Sequence, residues 1–175
     1  ILNPRKLSIF NKNKLDYNEY TVFRVKENYF DGTWGGNVQY LDKRLSNIQE
    51  KVFIQALYTF RIYAPEKAVM LISDNKEQYD VKYMNIKINL KIDNVIKNCI
   101  VKKLNEIGFI ETQNEIVKIV QEAETLINES ILPLFGIALL NLNVILEESE
   151  EHYSFRKEYE WKNIKEQEVN TNGII

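Results

Sequence analysis

Residues 113–146 read QNEIVKIVQEAETLINESILPLFGIALLNLNVIL, a helix, a break and a strand. Ile116, Ile119, Val120, Ala123, Leu126 and Ile127 recur at three- and four-residue steps, one apolar stripe of an amphipathic helix. Lys118, Gln121, Glu122, Glu124 and Asn128 take the other face. Pro133 and Gly136 stop that helix. Ile137–Leu146 is then almost continuously apolar, with Asn141 and Asn143 its polar residues, and is read as a buried strand. A helix that delivers the chain straight into a strand is a packing unit, and it contains no catalytic motif.

Upstream of this unit the pattern is mainly β. Residues 1–20 are polar and Asn/Lys-rich, with room for one short strand. Tyr20–Lys26 alternates with both faces partly apolar. The cluster Asp31-Gly32-Thr33-Trp34-Gly35-Gly36 is read as a turn built on positive φ, with Trp34 packing over the adjoining sheet. Asn37–Leu41 follows as a short strand and Asp42–Asn47 as a polar connection. Lys51–Tyr63 is the longest β-type run and is expected to be a central strand. Pro65 opens a short helix over Pro65–Ile72, with Ala68, Val69 and Ile72 facing the sheet, and Ser73–Tyr79 is a polar loop.

Tyr83–Ile92 is ambiguous. Met84, Ile86, Ile88, Leu90 and Ile92 alternate like a strand while the flanking context favours a helix, and the stretch is read as strand or extended chain. Asp93 would then cap a helix from Asn94 to Ile107 that Gly108 ends. Residues 147–168 alternate acidic and basic side chains and read as an exposed helical arm, with 170–175 frayed. The expected domains are 1–146, an α+β unit, and 147–175, the arm and tail.

The 175 residues suit one domain with an appendage, and 45% hydrophobic with 27% charged residues is ordinary globular composition. A net charge of -2 gives no basic excess for nucleic acid. One cysteine, Cys99, allows no intrachain disulfide and suits a reducing compartment. No run approaches the roughly 18 apolar residues of a spanning helix, and no signal peptide is evident. Because the first residue is Ile1, a piece of a longer chain is expected, with any anchor outside it.

The chemistry-bearing residues read blandly. His152, the single histidine, follows Glu148 by four residues and is taken as a solvated helix position, with a metal or proton-switch role as the sharper alternative. Cys99 lies on an apolar helix face and reads as a structural thiol. The glycine cluster lacks the Lys-Ser/Thr ending of a P-loop. Glu147, Glu148, Glu150 and Glu151 suit the positive end of a helix dipole better than a cation. No catalytic, cofactor or metal site is assigned.

Three segments together resemble the SPFH/band 7 (stomatin–prohibitin–flotillin) superfamily, in particular its bacterial virion-core-like branch. They are Thr33–Asp42, like the branch's Trp-Gly-Thr turn and strand; Gln55–Ile62 with Pro65, like its long strand entering an Asp-Pro helix; and Leu104–Glu147, like its closing helices and final strand. The chain departs from the pattern at Gly36, where Thr is expected, at Ala56 in place of Gly, and at Ala64 in place of Asp. The resemblance covers about Tyr20–Glu151, and Ser73–Ile92 fits it poorly. It implies an α+β fold with a curved, mainly antiparallel sheet flanked by helices, followed by a helical arm. It also implies a non-enzymatic scaffold, cytoplasmic and peripheral to the inner face of a membrane, that assembles with itself and recruits or confines other proteins. Membrane proteins or an anionic lipid surface would be reached through segments outside this chain. Tyr153, Arg156, Lys157, Tyr159, Glu160 and Trp161 on the arm are the expected oligomer interface. A small monomeric partner-binding protein, such as an immunity or phage-encoded inhibitor, is the alternative.

Overall fold

The computed structural model describes residues 8–14, 21–25, 29–45, 48–71 and 78–172. Their elements run β1 (Ser8–Lys14), β2 (Thr21–Val25), β3 (Tyr29–Asp42), β4 (Ile48–Ile62), α1 (Pro65–Ala68), β5 (Gln78–Asp80), α2 (Val81–Asn114), α3 (Ile116–Ser130), β6 (Ile137–Glu148) and α4 (Glu150–Asn172). The expected α+β class is what the chain adopts. β1, β2 and β5 form a small antiparallel sheet in the order β2-β1-β5, and β3, β4 and β6 a larger one in the order β3-β4-β6.

The larger sheet buries one face. β4, central as its long β-type run predicts, points Val52, Ile54, Ala56, Tyr58, Phe60 and Ile62 inward, and α2 and α3 cover them, while Phe53 and Leu57 on its other face, and Tyr63 just beyond its end, are exposed. β6 is an edge strand that buries Ile137, Leu139, Leu142, Val144 and Leu146, while Leu140 and Ile145 face outward. Its unbroken apolar run therefore overstates its burial. An irregularity opposite Thr59 and Phe60 inserts Leu140 and switches which parity of residues points inward. α3 packs Ile119, Val120, Ala123 and Ile127 against the sheet, as its stripe predicts, with Leu126 left exposed.

Three expectations are corrected. The glycine cluster is no turn: Gly32, Gly35 and Gly36 lie in mid-strand, paired in unbroken register from Tyr29↔Arg61 to Asp42↔Ile48. Gly32 is required for close approach, since a Cβ there would overlap the Tyr58 ring of the neighbouring strand. Trp34 packs against the core, with Lys97 of α2 5.2 Å from its ring centroid.

Tyr83–Ile92 is helical, not extended. Asp80, not Asp93, caps the helix by accepting from the Tyr83 N–H at 2.8 Å. Met84, Ile88, Ile92, Ile96, Ile100 and Leu104 form a buried row at steps of four. The alternation that suggested a strand arose because Ile86 and Leu90 are apolar too, yet they are 50% and 67% exposed. Gly108 breaks this helix as expected, at φ 79°, but the chain resumes helical geometry beyond it.

Pro65 opens α1, and a 3-10 turn over Val69–Leu71 completes that segment, burying Ala68 and Leu71. Ile72, most of the expected loop Ser73–Tyr79 and residues 173–175 lie outside the described residues. Between α3 and β6, a 3-10 turn over Leu132–Phe135 ends at Gly136, whose φ of 63° only glycine adopts at low cost. Its carbonyl accepts from the Tyr63 and Ala64 N–H groups at 2.9 and 3.1 Å.

Candidate functional site

The helical arm begins where β6 ends, and its first two turns are tied to the domain. Glu148 is the last residue of β6, not the start of a helix, so the acidic run divides: Glu150 and Glu151 occupy the first turn of α4. His152, expected in solvent, is fully buried at 0% exposure. The Tyr40 ring meets it edge-on at 6.0 Å and the Phe109 ring at 6.1 Å. The Gly108 kink is what turns Phe109 into this contact, and a Cβ at Gly108 would press on Arg44 Cδ at 3.3 Å.

Around the imidazole sit groups from three elements. Tyr40 Oη lies 3.4 Å from His152 Nε2 and donates to Asp42 Oδ2 over 3.4 Å, while Nε2 itself is 3.6 Å from that carboxylate. Nδ1 lies 3.0 Å from Glu148 Oε1, within ion-pair reach but outside hydrogen-bond geometry. Glu148 spends its oxygens on Arg156 instead, accepting from Nε at 2.9 Å and Nη2 at 3.0 Å. Burial first, then the Asp42 and Glu50 carboxylates, pushes the Tyr40 phenol well above the usual tyrosine range, so it remains a donor. Donating to the Glu148 carboxylate raises the Arg156 guanidinium further, so it remains charged.

A cavity of about 260 Å³ adjoins this cluster, lined among others by Asp42, Arg44, Phe109, Arg156, Tyr159 and Glu160. Arg44 and Glu111 form an ion pair on its wall, and the hydrogen bond from Arg44 holds the Glu111 carboxyl below its ordinary range. The six expected interface residues thus fall into two sets. Arg156, Tyr159 and Glu160 face the domain, with Arg156 Nη1 also donating to Glu160 Oε1 at 3.1 Å. Tyr153, Lys157 and Trp161 are exposed, Trp161 at 64%, and Arg156 and Lys157 lie 5.4 and 5.9 Å from the Tyr153 ring centroid. Cys99 is half-buried, and burial followed by the nearby Glu122 raises its thiol.

What the arrangement does chemically is fix a helix. Sequence reasoning missed Tyr40, Asp42 and Phe109 as its partners. The four-residue steps Glu148, His152, Arg156 were the available signal. Among the described residues no group of three or more His, Cys, Asp or Glu side chains could hold a metal ion. No helix among them is long and apolar enough to cross a membrane. No protein-family model matches the chain and no curated protein matches it in sequence.

Proposed function

We propose that the chain is a non-enzymatic scaffold: a domain that assembles side by side with copies of itself at the inner, cytoplasmic face of a membrane and recruits or confines other proteins there. The observation that carries this reading is α4. One face of the helix is held to the domain through His152 and Arg156, while Tyr153, Phe155, Trp161 and Ile164 stand exposed. Exposed aromatic and aliphatic groups on a helix of fixed direction suit contact with a neighbouring copy. The likeness of Gln55–Ile62 with Pro65, and of Leu104–Glu147, to SPFH proteins supports the same reading, while the turn expected at Thr33–Gly36 is absent and lends it nothing. Attachment to the bilayer is assigned to partner membrane proteins, or to segments outside residues 1–175 that meet an anionic lipid surface.

The test is the mass of the full chain in solution by light scattering, beside a variant carrying Tyr153→Ser, Phe155→Ser and Trp161→Ser. Substitution is preferable to cutting at 147, because truncation would strip Glu148 and His152 from the domain. Large assemblies that collapse in the variant support the scaffold, and co-sedimentation with vesicles follows. A monomer in both cases sinks it in favour of a small partner-binding protein.

A further inference from the structure

The buried row of α2 has a counterpart on the far side of the helix. Four-residue steps from Lys82 give Ile86, Leu90, Asn94, Asn98 and Lys102, every one exposed. In the first half of the helix this row is aliphatic where a solvated face is polar, with Ile86 50% and Leu90 67% exposed. Tyr83, Lys87 and Lys91 run beside it. Lys91 Nζ lies 5.3 Å from the Phe135 ring centroid, which brings the 3-10 turn over Leu132–Phe135 alongside, and Leu134 in that turn is 65% exposed.

Val81–Ile92 holds three lysines and no acidic residue, in a chain whose net charge is -2. The acids that bound it are engaged locally: Asp80 accepts from the Tyr83 N–H at 2.8 Å, and Asp93 accepts from Lys97 Nζ at 3.1 Å. The face is therefore a ridge of aliphatic side chains edged with ammonium groups. Two copies meeting through it about a two-fold axis would set lysine against lysine. None of these residues lines the cavity beside α4 or the groove between α3 and β6, so a folded partner would have to bring the hollow that receives the ridge. An anionic lipid surface needs no hollow, because its fluid interface admits aliphatic groups and its phosphates meet the lysines.

We propose that the outward face of α2 over Lys82–Lys91, together with Leu134, rests directly on an anionic lipid surface. Ile86, Leu90 and Leu134 enter the interfacial layer while Lys82, Lys87 and Lys91 extend their stems to the level of the headgroups. The contact is made by the domain itself, beside the attachments assigned above. It rests on the proposed function only for the presence of a membrane, and no residue of α4 takes part.

The probe is sedimentation of the full chain with vesicles of phosphatidylcholine alone, or with about 30% phosphatidylserine, at about 0.1 M salt. Binding to the anionic vesicles only is expected, weakening as salt rises. Lys82→Glu/Lys91→Glu should lower the partition coefficient at least about 25-fold, on the order of fivefold for each lysine lost. Leu90→Ser/Leu134→Ser should lower it about tenfold. All four positions are exposed, so circular dichroism should show the fold unchanged. Lys118→Glu/Lys162→Glu, the same change of net charge on other helices, should leave binding within about twofold. No binding to anionic vesicles, equal binding to neutral ones, or an equal loss in the Lys118/Lys162 variant would each overturn the proposal. Failure on vesicles with lysine-dependent binding to immobilised polyglutamate would overturn it too and give the face to an acidic protein. Light scattering of the same samples without vesicles reads self-assembly separately, so either reading can fail alone.

Discussion

The Glu148 carboxylate and the Arg156 guanidinium face each other as two parallel hydrogen bonds of 2.9 and 3.0 Å, joining the last residue of β6 to the second turn of α4. Their side chains are 10% and 14% exposed. A pair so shielded is worth most when one member is removed, because the other is then left charged with little water to solvate it.

Arg156→Met should therefore cost about 2–4 kcal/mol and lower the thermal midpoint by roughly 5–12 °C for a domain of this size. Glu148→Gln/Arg156→Met should recover part of the loss. Calorimetry on Glu148→Gln, Arg156→Met and the double variant measures both. Full additivity of the two single changes would mean that the pair contributes nothing as a pair.

The helical reading of 83–92 separates two residues that a strand would have placed on one face. Ile88→Ala removes a fully buried side chain and should cost about 2–5 kcal/mol, while Leu90→Ala, at 67% exposure, should stay within about 0.5 kcal/mol. Urea midpoints decide the matter, and equal losses would contradict the orientation of α2.

Gly136→Ala should be among the most harmful small changes in the molecule. The new Cβ would need φ 63° and would overlap the Ala64 carbonyl, a backbone atom with no freedom to swing away. A loss of about 2–3 kcal/mol is expected by chemical denaturation. Gly35→Ala, whose Cβ meets the end of the Phe53 ring at 3.0 Å, should cost less.

Glu111 carries the acid prediction. Its folded pKa lies below the ordinary 4.5 because Arg44 donates to it. The stability it contributes is present above 4.5 and is lost as pH falls through the depressed folded value. The two side chains are 54% and 38% exposed, so solvent screening holds the effect to a few tenths of a kcal/mol. Glu111→Gln should flatten the stability curve below 4.5 and leave its slope at neutral pH unchanged.

α3, the break at Pro133 and Gly136, and β6 were legible because each signal is local: a three-and-four stripe, then two residues that cannot continue a helix. β4 was legible through its length and the alternation of Val52, Ile54, Ala56, Tyr58, Phe60 and Ile62. The start of α2 was not, because Met84, Ile88 and Ile92 satisfy a period of two and a period of four at once. Only the exposure of Ile86 and Leu90 decides between them. The glycine cluster misled for another reason, since what excludes a side chain at Gly32 is Tyr58 on the next strand. His152 was misplaced because Asp42 and Phe109, which bury it, come from distant stretches of chain.

The buried row of α2 has a consequence for how this protein tolerates changes of length. Four residues turn an α-helix by about 400°, so each step from Met84 to Leu104 advances the row by about 40° around the axis. The inward face therefore spirals about the helix, and its neighbours must follow that spiral. Removing one residue between Ile88 and Ile92 would swing everything beyond by about 100° and put polar side chains into the core. Removing four would return the row to its own track, shortening the rod by about 6 Å and turning its far end by about 40°. The natural unit of insertion and deletion in this helix is four residues, not the seven of a coiled coil.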